Sequence, residues 1–233
     1  MTSLSVIARV RTDFPEKFGL PRQSGIVPAL TGTVVFEEAY RVPDALRGIE
    51  GFSHLWLLWG FSEGFSSQNE PKPWSPTVRP PRLGGNARMG VFATRSPNRP
   101  NPIGLTRVRL ISLEQTAADG PVLTVSGADL MSGTEILDIK PYLPFADSVP
   151  EAATGEYGPD KQEPLNVEIP ESVAALFTSK QLSALREALS YDPRPGYQTD
   201  ENRGYGFAYG GYDIRFRVSG QTATVTDAIK IND

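Results

Sequence analysis

The sequence predicts a mainly β protein, a barrel or sandwich of short strands followed by a smaller α+β unit. Three observations carry this. Strand-length apolar and β-branched runs recur between residues 5 and 142, separated by polar, turn-forming stretches. The 21 prolines and 22 glycines among 233 residues favour short strands and turns over helix bundles. Helical spacing is confined to residues 170–190, beyond an acidic, Pro/Gly-containing linker at 148–165. The chain therefore divides into 1–147, the linker, and 166–233.

Residues 5–11 form the first apolar run and the first expected strand. Residues 12–28 have no clean period and contain Pro15, Pro21 and Pro28, so they read as a long loop. Loops of that length in compact domains are usually functional. The second strand is expected at 31–38. Pro43 through Gly48 resembles a single helical turn, begun by proline and ended by glycine. Residues 52–61 are nearly all apolar or aromatic and read as a strand buried on both faces. His54 lies within it and reads as a hydrogen-bonded core residue rather than a catalyst. Residues 88–93 are a short expected strand. Residues 105–113 alternate Leu105, Arg107 and Arg109 against Thr106, Val108 and Leu110, as in a half-buried strand. Residues 117–120 supply a hairpin turn into 122–125. A polar turn at 126–133 leads to the last strand of this unit, 134–142. In the second unit, Val173, Leu176, Phe177, Leu182, Leu185 and Leu189 have helical spacing, with a break at Thr178-Ser179. Strands are expected at about 205–218 and 221–229, joined by Ser219-Gly220.

Composition excludes several chemistries. There is no cysteine, so disulfides, thiolate metal sites and cysteine nucleophiles are absent. The single histidine disfavours paired-His metal sites and Ser–His triads, so no metal is expected. No apolar stretch approaches membrane-span length and residues 1–14 do not resemble a signal peptide, so a cytoplasmic protein without membrane contact is expected. Neither a dinucleotide fingerprint nor a P-loop is present, so a nucleotide-like ligand would sit on β-structure and loops.

The strongest local signal is the stretch RPPRLGGNARMGVFATRSPNRPNPIGLTRVR at 79–109. It holds seven arginines, and no acidic residue occurs from Pro71 to Leu113. With Lys72 this window carries +8 in a chain of net charge −4, which leaves −12 for the remaining residues. Positive charge collected in an acidic protein is the footprint of a polyanion site. Pro97, Pro100 and Pro102 prevent a helix through 96–103 and stiffen the loop.

These residues also resemble a known family. The stretch above, with KFGLPRQSG at 17–25, GFSHLWLLWGF at 51–61 and GADLMSGTEILDIKPYLPFAD at 127–147, is similar to the signature of the TrmO (TsaA-like, YaeB) family. DPRPGY at 192–197 resembles the C-terminal extension of its bacterial members. The resemblance implies a β-barrel catalytic domain, a homodimer and an S-adenosylmethionine-dependent tRNA methyltransferase. Its substrate would be tRNA carrying threonylcarbamoyladenosine, methylated at N6 beside the anticodon. Matching the family's pattern position by position implies that the cofactor is contacted by Ser24, Gly25, Ile26, Ser62, Glu63, Arg95, Leu105, Ser126, Gly127, Ala128 and Asp129. Ser24 stands where proline is usual in the family.

Such a reaction needs in-line positioning and a place for the proton leaving the ureido nitrogen. Asp129 and Asp138 are the candidate bases. The plain alternatives are turn capping for Asp129 and pairing with Lys140 or an arginine for Asp138. Arg82, Arg88 and Arg99 are expected to meet tRNA phosphates. Residues 164–233 hold seven Lys/Arg against nine Asp/Glu, so any tRNA contact there is local. Arg215 and Arg217 project together from one strand face, and Arg194 lies nearby among tyrosines, a mixture suited to phosphates and bases. Two other functions fit the bare residues. One is a non-catalytic β-barrel RNA-binding module using the same Arg-rich loop; the other is an enzyme for a small phosphorylated substrate.

Overall fold

The computed structural model describes residues 4–21, 23–61, 74–80, 87–155, 163–194, 200–201 and 203–231. Six strands close a barrel: β1 (Ala8–Thr12), β2 (Thr31–Phe36), β3 (His54–Gly60), β6 (Ile103–Thr116), β7 (Gly120–Ser126) and β8 (Glu135–Pro141). Their order around the barrel is β1-β2-β7-β6-β3-β8, antiparallel throughout. A two-stranded ribbon, β4 (Thr77–Val78) and β5 (Met89–Gly90), stands apart from it.

Alternation builds the interior. Val10, Val34, Leu55, Leu57, Val108, Leu123 and Ile136 are almost completely buried and pack together inside the barrel. On β6 the inward side carries Thr106 and Val108, while Leu105, Arg107 and Arg109 face out. β3 differs from the strand buried on both faces expected from its apolar run. Only Leu55, Leu57 and Gly60 are buried, and Trp56 and Leu58 are partly exposed. A barrel wall has one inner face, and the outer face of β3 is covered only locally. There Trp56 Nε1 donates to Asp147 Oδ2 at 3.0 Å and its ring packs edge-on to Tyr142. His54 sits on that outer face, its Nδ1 2.9 Å from Ser53 Oγ. Burial and the nearby Arg107 and Arg109 depress its pKa.

The short strand expected at 88–93 is only Met89–Gly90, followed by a 3-10 turn at Val91–Ala93. Residues 43–46 form the expected single turn, also as 3-10 helix.

After α1 (Pro144–Asp147) the second sheet runs β10 (Tyr205–Tyr209), β11 (Tyr212–Ser219), β12 (Thr222–Lys230), then β9 (Asn166–Glu168), which pairs parallel to β12. The helical pattern resolves into α2 (Glu171–Ala174) and α3 (Ser179–Ser190). The break falls at Thr178, which caps α3 in a reciprocal capping box with Gln181. The strand expected across 205–218 is split by Gly210-Gly211, whose φ values of 56° and 85° make a hairpin turn.

The loop between β1 and β2 joins the two sheets. Phe14, Val27 and Leu30 belong to the core beneath the second sheet, with Leu185, Leu189, Phe207, Tyr209 and Phe216. Asp13 O accepts from Gly210 N at 2.8 Å and its carboxylate accepts from Gln181 Nε2 at 2.9 Å. Glu16 accepts from Ala208 N at 2.8 Å, and Glu187 on α3 accepts from Ala29 N at 3.1 Å. Gly19, at φ 93°, lies so close to Phe207 that a Cβ there would fall 2.5 Å from the ring. The long loop of the first unit is thus also part of the core of the second.

Candidate functional site

The site lies on one rim of the barrel, where β3 and β7 end and β2 and β6 begin. Two turns meet there. Gly25 N donates to Gly127 O at 2.9 Å, and Gly127 N donates to Leu30 O at 2.8 Å. Both glycines have φ 76°, and a Cβ on Gly127 would sit 3.1 Å from Gly25 Cα. Only glycine permits this backbone approach at that φ. The segments 24–26 and 126–129, distant in sequence, are therefore one surface.

A chain of polar side chains runs under it. Trp59 Nε1 donates to Thr106 Oγ1 at 2.9 Å, and Thr106 Oγ1 lies 2.9 Å from Asp129 Oδ1. The indole nitrogen can only donate, so the Thr106 hydroxyl accepts there and donates its own proton to Asp129. That fixes Oδ1 as an acceptor and leaves Oδ2 as the oxygen able to take a proton. The ring of Trp59 lies on Gly104, where a Cβ would come within 2.2 Å of it. Thr106 is 1% exposed and carries a hydroxyl at an inward position otherwise filled by apolar residues. Burial raises the Asp129 pKa, while the Thr106 hydrogen bond and the positive charge of Arg95 hold it down in part.

Arg95 approaches from the Arg/Pro loop. Its Nη1 donates to Gln23 Oε1 at 3.0 Å, tying that loop to the β1–β2 loop. Leu105, next to Thr106 but on the other face of β6, is 55% exposed. Ser126 and Ala128 are buried in the turn itself. Seven of the residues expected at the cofactor, Ser24, Gly25, Ile26 and Ser126 through Asp129, thus lie in the two joined turns, with Arg95 near enough for its charge to be felt at Asp129 and Leu105 beside Thr106. Ser62 and Glu63 lie outside the described residues, as does Arg82. Sequence reasoning assigned no role to Gln23, Trp59 or Thr106. The signal for Thr106 was a polar residue at an inward position of an alternating strand.

Asp138 stands elsewhere. Its carboxylate is half-exposed and pairs with Lys140 at 2.8 Å, while Oδ1 accepts from Ile139 N. It makes no bond to the Trp59–Thr106–Asp129 chain among the described residues.

The arginines differ in how far they are engaged within the fold. Arg88 is exposed, consistent with an outward role. Arg99 is not: its Nη2 donates to Val91 O at 3.1 Å and Thr94 O at 2.7 Å, and its Nε is buried. It braces the loop from within, whereas the sequence reading expected it at a tRNA phosphate. Arg194, also expected at tRNA, is engaged within the fold. Its guanidinium makes a two-point pair with Asp192, both bonds 2.8 Å, and its side chain is 13% exposed. Arg215 and Arg217 are exposed on the face opposite Ile214, Phe216 and Val218, though Arg215 is paired with Asp213. Tyr205 and Tyr209 are core residues, not an RNA surface. Among the described residues no group of three or more His, Cys, Asp or Glu is placed to hold a metal ion, and no helix is long and apolar enough to cross a membrane.

Two family models match the chain. The tRNA-methyltransferase O N-terminal domain matches residues 9–148, and the TrmO C-terminal domain matches 162–231. A relative from Escherichia coli K12, tRNA (adenine(37)-N6)-methyltransferase, is 41% identical over 223 residues, covering 91% of this chain and 92% of its own. A putative S-adenosylmethionine-dependent methyltransferase, RcsF, from Pseudomonas aeruginosa is 39% identical over 223 residues, 92% of this chain and 91% of that one. The crystal structure of TrmO from P. aeruginosa superposes with a TM-score of 0.78 at 32% identity, covering 99% of this chain and 97% of that one.

Proposed function

The chain belongs to the tRNA-methyltransferase O family and is an S-adenosylmethionine-dependent tRNA methyltransferase, and from that premise we propose that it methylates N6 of threonylcarbamoyladenosine beside the anticodon, with Asp129 as the base. The observation that carries the reading is the Trp59–Thr106–Asp129 chain ending beside the joined Gly25 and Gly127 turns and Arg95. The E. coli relative is named for the N6 of adenine 37, and that name supports the position of the target.

The residues fit the cofactor. Arg95 suits the carboxylate of a methionine moiety, and the two turns offer backbone amide and carbonyl groups to an adenine edge. S-adenosylmethionine, when bound, supplies an electrophilic methyl group on sulfur. The target nitrogen carries one proton and a lone pair delocalised into the ureido carbonyl. Methyl transfer requires that proton to leave as the N–C bond forms and the methyl's bond to sulfur breaks, its electron pair staying on sulfur as a neutral thioether. Asp129 Oδ2 receives it, because Oδ1 is occupied by the Thr106 hydroxyl. A carboxyl whose pKa is raised by burial is a stronger base than one in water. Arg95 and the turn dipoles hold this charge distribution in place before the reaction, so little reorganisation accompanies transfer.

Residues 1–147 form the cofactor-holding unit in this reading, 148–165 a linker, and 166–233 a tRNA-gripping unit through Arg215 and Arg217. Two copies of the chain form the active species. The test is methylation of purified tRNA with and without the threonylcarbamoyl group, followed by nucleoside mass spectrometry. Only the modified tRNA should gain one methyl, located on N6. Equal methylation of unmodified adenosine would contradict the substrate assignment.

A further inference from the structure

Trp74 and Phe92 lie outside both cores. They are 47% and 76% exposed, with ring centroids 6.0 Å apart and planes inclined at 36°. The elements that carry them are fixed. Thr77 pairs with Gly90 and Val78 with Met89 across the β4–β5 ribbon. Val91 is buried, its N–H donates to Pro76 O at 2.9 Å, and its carbonyl accepts from Thr94 Oγ1 and Arg99 Nη2. Phe92 is therefore the outward residue of a braced turn. On the same ribbon, Arg79 and Arg88 line an open hollow of about 350 Å³ with Ser75, Thr77 and Val78. Both arginines are exposed, and neither has an ion-pair partner among the described residues.

We propose that the Trp74–Phe92 pair is a stacking platform for an unpaired base of the tRNA, with Arg79 and Arg88 holding the phosphates that flank it. This rests on the tRNA methyltransferase reading and deepens it. Aromatic faces accept any base, and arginines supply the neighbouring anion contacts. The ribbon sits in a window free of acidic residues, so its charge is complementary to a nucleic-acid backbone. A protein partner would call for a broader apolar field, yet Val78 and Met89 are already half-buried and the remaining ribbon side chains are polar or charged. Placement agrees as well. Phe92 is three residues from Arg95, at most about 10 Å of extended chain, so a nucleotide close to the methylated one falls within reach.

The test compares an unmodified anticodon stem-loop RNA with a fully paired RNA of the same length, followed by tryptophan fluorescence. The chain has three tryptophans, so Trp74→Phe identifies the reporter while keeping a stacking ring. Stem-loop binding should quench wild-type fluorescence, and the quench should be lost in Trp74→Phe with affinity retained. The double variant Trp74→Ala, Phe92→Ala should lose roughly tenfold to hundredfold in stem-loop affinity, change duplex affinity less than twofold, and bind S-adenosylmethionine as wild type does. An equal loss on both RNAs, or a quench that survives Trp74→Phe, would overturn the platform. So would sedimentation showing that the double variant turns a dimer into a monomer, since the rings would then be a subunit interface. Failure of the wild type to bind either RNA, or the stem-loop carrying threonylcarbamoyladenosine, would instead overturn the tRNA reading itself.

Discussion

Asp129 combines two properties at the scale of single residues: Oδ2, the oxygen proposed to take the N6 proton, and a pKa raised by burial. The second has a consequence for stability. A carboxyl with a folded pKa above its unfolded one stabilises the fold fully below the ordinary carboxylate range, and that contribution is lost as pH rises through the folded pKa. Asp129→Asn keeps an acceptor for Thr106 and removes the buried charge. It should melt at a higher temperature than wild type at neutral pH, and the difference should vanish below about pH 4. A melting temperature below wild type at pH 7 would show that the carboxylate is needed for folding. Arg95→Ala should weaken S-adenosylmethionine binding by about 1.5–3 kcal/mol, the range for a hydrogen bond to a charged group, as measured by calorimetry. Unchanged affinity would return Arg95 to the tRNA track.

The elements bearing these residues are held by close contacts that leave little tolerance. Gly104→Ala places a methyl within 2.2 Å of Trp59, so either the ring moves or β6 shifts. A destabilisation of about 1–3 kcal/mol is expected, the usual cost of overpacking, with loss of turnover as the Trp59–Thr106 bond opens. The Arg/Pro loop separates its arginines by role. Arg88→Ala should flatten the dependence of log tRNA affinity on log salt by roughly 0.7–0.9 at unchanged melting temperature. Arg99→Ala should lower the melting temperature, because it removes the brace on Val91 and Thr94. Reversal of these two outcomes would exchange the assignments. Much of this scale was legible in the sequence, for physical reasons. Alternation in β6, the Thr178 break and the Ser219-Gly220 turn depend on neighbours a few residues apart. The depth of β3 was not legible, since an apolar run looks the same on a barrel wall as in a doubly covered sheet. Nor was the inward Arg99, because a guanidinium turned back onto the carbonyls of its own loop carries no sequence mark.

For the whole molecule, the two sheets are coupled through the β1–β2 loop, whose Phe14, Val27 and Leu30 fill the core of the C-terminal unit. Phe14 is 1% exposed and contacts the rings of Phe207 and Tyr209. Phe14→Ala should cost about 3–5 kcal/mol in chemical unfolding. Because Gln23 and Gly25 lie further along the same loop, it should also weaken cofactor binding, although Phe14 is not in the site. A loss of stability with normal cofactor affinity would show the two ends of the loop to be independent. Sequence patterning divides the chain at 148–165 and reads 12–28 as a loop, but the shared core depends on contacts between residues some 200 positions apart, such as Glu16 with Ala208. Local period and composition do not carry such information. The joined Gly25 and Gly127 turns were accessible only through family resemblance for the same reason.

The proposal that Asp129 accepts the N6 proton is tested most directly by single-turnover methyl transfer, measured against pH at saturating cofactor and modified tRNA. Wild type should rise in rate through the ionisation of Asp129 and then level off. Asp129→Asn should be slower by about 10²- to 10⁴-fold, the contribution of a positioned base, and should lack the acid limb while still binding S-adenosylmethionine. A variant with wild-type rate and the same pH profile would contradict the assignment.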